Sequence, residues 1–165
     1  MVPLPPADVR FPPSEGELKQ FMAAASRLKA QVQAVGIRSR SAMEGALPEI
    51  MAGSPQALFV ASTLLFEMIL PSQTVNLVLK SGLPALYVRR EYAEVGGLMS
   101  FGVPYREMCR TAADYIVKIL QGEKAGDLPV QLPVKIELVV NLKTARALNI
   151  TVPELLLGRA DEVIE

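Results

Sequence analysis

Residues Gly82 to Gly102 read GLPALYVRREYAEVGGLMSFG, and this stretch decides the fold. Gly82 is a turn signal, and strand formers run from Leu86 to Val88 after it. The charged cluster Arg89, Arg90 and Glu91 follows directly, then Gly96-Gly97 breaks the chain before a second short apolar run, Leu98 to Phe101. Apolar runs bounded by glycine and followed by charge read as buried strands. The polar ends of such strands are where open α/β sheets gather ligand-binding groups.

Working outward, the flanking segments alternate between helix and strand patterns. Downstream, Pro104 suits the first position of a helix from Tyr105 to Leu120, which Gly122 ends. Asp127 to Pro133 reads as an extended connector, and Lys135 to Val140 as an edge strand of alternating character. Asn141 caps a short helix, Lys143 to Leu148, and Thr151 with Glu154 caps a last one to Leu157. Asp161 and Glu162 read as a polar tail.

Upstream, Ser14 and Glu17 form a capping-box pattern for a helix over Glu15 to Ala30. Its expected core face is Leu18, Phe21, Met22, Ala25 and Leu28. Val32 to Ile37 reads as a strand, and a helix capped by Ser39 or Ser41 runs to Ala52 with Leu47, Ile50 and Met51 inward. The apolar run Ala57 to Ala61 predicts a strand buried on both faces of a parallel sheet. Ser62-Thr63 opens the next helix, from Leu65 to Lys80, which Pro71 must kink or split. Strands alternating with helices over short connectors predict an α/β fold, a mostly parallel sheet flanked by helices.

Composition narrows the function. The chain has 165 residues, enough for one domain that buries about two thirds of its surface. Half of its residues are hydrophobic, and 17 basic residues balance 17 acidic ones, which argues against a nucleic-acid partner or a polybasic membrane surface. Histidine is absent, so histidine triads and histidine metal sites are excluded. The single cysteine, Cys109, excludes an intrachain disulfide; on the apolar face of its helix it reads as a buried, inert thiol. Met1 to Pro13 is a proline-rich arm without the pattern of a signal peptide. The most apolar run, Ala57 to Leu70, contains Glu67 and is too short to span a bilayer.

Two segments carry a family resemblance. The Gly82–Gly102 unit and the stretch DLPVQLPVKIELVVNLKTARALN, Asp127 to Asn149, with the tail RADEVIE, Arg159 to Glu165, resemble the second half of ABC transporter substrate-binding proteins of the tryptophan and aromatic amino-acid type. The resemblance runs from about Glu17 to Glu165 and is loose before Ala57. It implies one lobe of the two-lobed type I periplasmic binding fold, in a protein about twice this length. It also implies closure of two lobes around a small ligand, delivery to an ABC permease, and a periplasmic location. On this basis the chain divides into an arm (1–13), an α/β lobe (14–102), a crossover helix with its connector (103–132), and a C-terminal strand with short helices returning to the lobe (133–165). In the family the crossover helix packs on the first lobe.

The site expected from both lines of reasoning lies where the strands end. Ser62 and Thr63 offer hydroxyls and backbone N–H groups for a carboxylate, against the simpler role of a helix cap. Arg89 can clamp a carboxylate in bidentate fashion and Glu91 can meet an amine, against a solvated charge cluster. Tyr92 is a stacking residue or helix packing. Gly102 permits close backbone approach at the crossing Ser100 to Tyr105. The resemblance implies an aspartate near Thr63 for a ligand amine, and this chain has Ala61-Ser62-Thr63-Leu64 there instead.

No paired acid and base, P-loop or dinucleotide fingerprint is present, so neither catalytic residues nor a cofactor or metal is expected. The leading expectation is a substrate-binding component of an ABC importer or a shortened relative of one. The alternatives are a single lobe that self-associates without capturing ligand, and an α/β enzyme with Glu91 as general base. The residues Tyr105, Met108, Cys109, Ala112, Ile116, Ile119 and Leu120 fall on one helical stripe, from which a homodimer is expected.

Overall fold

The computed structural model describes residues 15–37, 40–61, 71–132 and 135–165. In chain order the elements are α1 (Glu15–Arg27), α2 (Arg40–Ala52), β1 (Leu58–Val60), α3 (Pro71–Leu79), β2 (Ala85–Tyr87), α4 (Arg90–Glu94) and β3 (Met99–Gly102). Then come α5 (Tyr105–Leu120), a 3-10 turn (Ala125–Asp127), β4 (Glu137–Asn141), α6 (Leu142–Ala147), α7 (Glu154–Leu157) and β5 (Glu162–Ile164). The strands form one sheet in the order β1-β2-β3-β4-β5. Its pairs are parallel except β3 with β4, which are antiparallel. The α/β, mostly parallel sheet expected from the sequence is present.

The core lies on both faces of this sheet. On one face Ala85 and Tyr87 of β2 pack with Val75 and Val78 of α3 and Tyr92 of α4, and Leu58 and Val60 of β1 join them. Tyr87 and Tyr92 stack at 5.0 Å between centroids, so Tyr92 is core packing. The Tyr87 hydroxyl is buried without a hydrogen-bond partner, and burial, with the neighbouring Tyr92, pushes its pKa far up. On the other face Leu98, Leu138, Val140, Ala145 and Val152 form a second cluster that α6 and α7 cover.

Two hydrogen-bonded devices tie the helices to the strands. Asn141 caps α6 by accepting from the Thr144 backbone N–H at 3.2 Å, while its Nδ2 donates to the Ala93 carbonyl at 2.9 Å. Arg90 at the start of α4 donates to Glu94 at 2.8 Å, to both Glu137 oxygens at 3.0 Å, and to Glu162 at 2.5 Å. The hydrogen bond to Glu94, then those to the strand carboxylates, raise the Arg90 pKa further above its ordinary value, against the opposing effect of burial.

Several expectations are corrected. Val32 to Ile37 forms no strand: among the described residues the sheet ends at β1 and no ladder reaches this segment. The Ala57–Ala61 run yields a strand that is the edge of the sheet among the described residues, and its Phe59 is 43% exposed, so it is not buried on both faces. On the expected core face of α1, Phe21, Met22 and Leu28 are exposed; α1 meets the sheet where Phe21 stacks on Phe59 at 4.9 Å. The expected edge strand near Lys135–Val140 is interior, since Glu162–Ile164 adds a fifth strand where a polar tail was read. The cap of α7 is Pro153, not Thr151. Cys109 is exposed rather than buried, because no residue of α5 is buried. Pro71 is the first residue of α3, and the part of the expected helix before it lies outside the described residues. The arm 1–13 and the opening of the helix at Ser62-Thr63 fall outside the described residues.

Candidate functional site

Strands β1, β2 and β3 run parallel, so their carboxyl ends share one edge. That edge is where an open sheet offers loops to a ligand. β2 ends at Tyr87, and Arg89 follows as the N-cap of α4 in extended conformation. β3 ends at Gly102, and Pro104 caps α5. Two short strands ending side by side therefore place Arg89, Glu91, Gly102 and Tyr105 together.

Arg89 and Glu91 face each other in a two-pronged ion pair. Arg89 Nε donates to one Glu91 oxygen and its terminal nitrogen to the other, each at 3.2 Å. Both side chains stay partly open, 26% and 35% exposed, so solvent and solutes reach the pair. Burial pushes the Glu91 carboxyl up, but the Arg89 hydrogen bond, the Glu91 backbone N–H and the charges of Arg89 and Arg90 outweigh it and hold the pKa below the ordinary carboxylate value. The pair is thus charged at neutral pH. The Arg89 guanidinium also sits 5.0 Å from the centroid of the Tyr105 ring, a cation–π contact across the crossing.

Gly102 is where backbone meets backbone. A Cβ there would lie 1.9 Å from the Val88 carbonyl oxygen, so only glycine lets β3 leave the sheet beside the Arg89 turn. Gly97 plays a similar part, since a Cβ there would lie 2.7 Å from Cε2 of Tyr87.

The structure therefore brings Arg89, Glu91 and Gly102 together, and Ser62 and Thr63 lie outside the described residues. Arg90, next to Arg89 in sequence, lies at the same edge but is committed to Glu94, to Glu137, which pairs in register with Gly102, and to Glu162. Tyr105 was read as part of the crossing and of the helical stripe, and its contact with Arg89 was not anticipated. The signal was an arginine at the end of one strand and an aromatic residue just past the end of its neighbour. A separate groove of about 360 Å³ opens on the opposite sheet face between Leu86, Met99, Phe101, Leu138, Leu156, Arg159 and Asp161. The Asp161 carboxylate there accepts from the Leu138 N–H at 2.9 Å and pairs with Lys135 at 3.3 Å, which together hold its pKa below the ordinary value. Among the described residues no cluster of three or more acidic or thiol side chains could hold a metal ion. No described helix is long and apolar enough to cross a membrane.

Solved structures show the same fold. A conserved domain protein from Vibrio cholerae is 22% identical with a TM-score of 0.79, and the match covers 90% of this chain and 49% of that one. An ABC domain in complex with L-Trp from Streptococcus pneumonia is 26% identical with a TM-score of 0.79, covering 92% and 50%. A ligand-free, open substrate-binding protein with adhesive properties from Clostridium difficile is 20% identical with a TM-score of 0.62, also covering 92% and 50%. The chain spans about half the length of these structures. No curated protein matches the sequence. A family model described as ABC transporter substrate binding protein matches residues 11–164, nearly the whole sequence, and the chain belongs to that family.

Proposed function

We propose that this chain provides ligand-contacting groups for a substrate-binding component of an ABC importer, and that its ligand is a small zwitterion or carboxylate such as an amino acid. The observation that carries this reading is the Arg89–Glu91 pair at the strand edge. An amino acid bears the same two charges as the pair. Its carboxylate can replace Glu91 on the Arg89 fork, and its ammonium can take the Glu91 carboxylate. Gly102 lets the end of β3 lie against the Val88 backbone beside Arg89, and the Tyr105 ring packs on the guanidinium. Ser62 and Thr63, which follow β1, complete the proposed contact set. The L-Trp held by the Streptococcus protein supports an amino acid as the class.

The mechanism is capture in a cleft of the type I binding fold, with closure of two lobes and recognition of the closed form by a permease at the periplasmic face of a membrane. It is a binding role and not catalysis. A single lobe leaves one wall of such a cleft open, and pockets normally bury most of a small ligand. This chain alone therefore binds free aromatic amino acids weakly. The missing acid near Thr63 weakens amine recognition further, by about 1.5–3 kcal/mol, or tenfold to a hundredfold.

Calorimetry with L-amino acids and short carboxylates tests the site. Weak binding that Arg89→Ala abolishes, and that Thr63→Ala reduces, is expected. Binding that survives both replacements sinks the assignment. Submicromolar affinity for tryptophan or phenylalanine contradicts the weakness expected of one lobe.

A further inference from the structure

Helix α4 is too short to hold itself in place. It has five residues, Arg90–Glu94, and its N-cap, Arg89, makes no side-chain capping bond. Nucleating a single helical turn costs more than its own hydrogen bonds return, so tertiary ties fix this one. At its far end Tyr92 and Ala93 are buried, and the Ala93 carbonyl accepts from Asn141 Nδ2 at 2.9 Å. At its near end the ties are those of Arg90. Its guanidinium donates to both Glu137 oxygens at 3.0 Å and to Glu162 at 2.5 Å, the first residues of β4 and β5. These partners lie 47 and 72 positions away in the chain.

The Arg89–Glu91 pair is local by comparison. Both residues sit at the start of α4, so their bond travels with the helix and does not place it. The contact of Arg89 with the Tyr105 ring, at 5.0 Å, does reach another element. A cation–π contact at a partly exposed site contributes only about 0.5–1 kcal/mol, and charge-assisted hydrogen bonds to two strands are stronger.

We propose that Arg90, held by Glu137 and Glu162, is the positioning residue of the candidate site: it fixes the start of α4 so that Arg89 lies over the Tyr105 ring and presents its fork at the strand edge. This rests on the reading of Arg89 as the ligand-contacting arginine. Register supports it. Glu137 pairs with Gly102, the last residue of β3 before the turn into Tyr105. The two adjacent arginines therefore grip the two neighbouring chain segments where they meet. Charge supports it as well. Three carboxylates surround the Arg90 guanidinium, and the Glu137 side chain is only 12% exposed. A carboxylate so covered keeps its arginine, because losing it leaves a charge out of water. Arg90 is thus withheld from a ligand, and Arg89, whose partner Glu91 is 35% exposed, is the arginine a ligand can compete for.

Arginine side-chain NMR of the whole, isotope-labelled chain tests this without any ligand. The Arg89 Nε–H signal is the one missing from Arg89→Lys. The Tyr105 ring displaces it, and Tyr105→Leu marks its position without the ring. Arg90→Gln and Glu137→Gln should each move the Arg89 signal towards that position. Glu162→Gln removes one exposed partner and should move it less, in the same direction. Val152→Ala, in the cluster on the other sheet face, should lower the urea midpoint and leave the signal in place. An Arg89 signal that keeps its wild-type position in folded Arg90→Gln, or in Glu162→Gln if the first variant does not fold, overturns the proposal and leaves Arg90 a stability tie alone. A signal displaced as far by Val152→Ala overturns it too, since any loss of stability would then act alike. Calorimetry keeps the two readings apart: a chain that binds no amino acid, while the signal moves as expected, refutes the ligand role of Arg89 and not its placement by Arg90.

Discussion

Replacing Asn141 by alanine should cost more than any other single polar deletion in the described core. The side chain is almost fully buried and joins three elements from the end of β4. Its Oδ1 caps α6 through the Thr144 N–H, and its Nδ2 holds the Ala93 carbonyl at the end of α4. Alanine removes the cap, worth about 1 kcal/mol. It also removes one of two hydrogen bonds to the buried Ala93 carbonyl, which keeps the Gly96 N–H at 3.2 Å, at a cost of about 0.5–1.5 kcal/mol. The sum, about 1.5–2.5 kcal/mol, corresponds to a fall in melting temperature of roughly 3–10 °C for a chain of this size. Urea unfolding followed by circular dichroism should show a lower midpoint at an unchanged slope. Asn141→Ser is the informative control: its hydroxyl can still cap Thr144 but is too short to reach Ala93, so it should recover only the capping share. The reasoning is refuted if Asn141→Ala stays within about 0.5 kcal/mol of wild type, or if serine is no better than alanine.

Gly102→Ala should destabilise the chain by about 1–3 kcal/mol, because the new Cβ meets the Val88 backbone and not a side chain that can swing away. Gly126→Ala, which meets nothing within 4 Å, should leave thermal unfolding nearly unchanged, and equal effects at the two positions would remove the close-approach argument. The Arg89–Glu91 pair predicts a pH dependence. The folded-state pKa of Glu91 lies below its unfolded value, so its contribution is present above the ordinary carboxylate range and disappears as pH falls through the folded value. With both groups partly exposed, the contribution is under about 1 kcal/mol. The stability gap between wild type and Glu91→Gln should close on acidification, and a gap that widens instead reverses the assigned sign.

The local elements that the chain announces most clearly are those whose signals are covalent or periodic. Gly82, with a φ of 70°, and Gly96, with 109°, mark the turns around β2 and β3. The helix Tyr105–Leu120 is bounded as its proline and glycine imply, and Asn141 caps α6 as its position implies. The candidate pair Arg89–Glu91 was legible because a charged cluster directly after an apolar strand has few other places to go.

Where pairing or covering by distant segments decides the outcome, the local pattern was misleading. Val32–Ile37 has strand character, but a strand exists only when a neighbour supplies its hydrogen bonds, and the β1 edge does not. Glu162–Ile164 is polar enough to read as a tail, yet β4 pairs with it and Arg90 reaches across to Glu162. The two adjacent arginines look alike in the sequence. Three carboxylates brought together by α4, β4 and β5 engage Arg90, while Arg89 meets Glu91 and the ring of Tyr105.

The sequence by itself determined the α/β class, the strand-end location of the charged cluster, and the amphipathic helix after it, because backbone stereochemistry and hydrophobic period act over a few residues. Only the tertiary structure decided that β4 is interior, that Arg90 is taken up by the carboxylates of α4, β4 and β5 while Arg89 pairs with Glu91, and that the apolar stripe of α5 is exposed among the described residues. Those outcomes depend on which surfaces meet across dozens of residues, and local pattern carries no record of that.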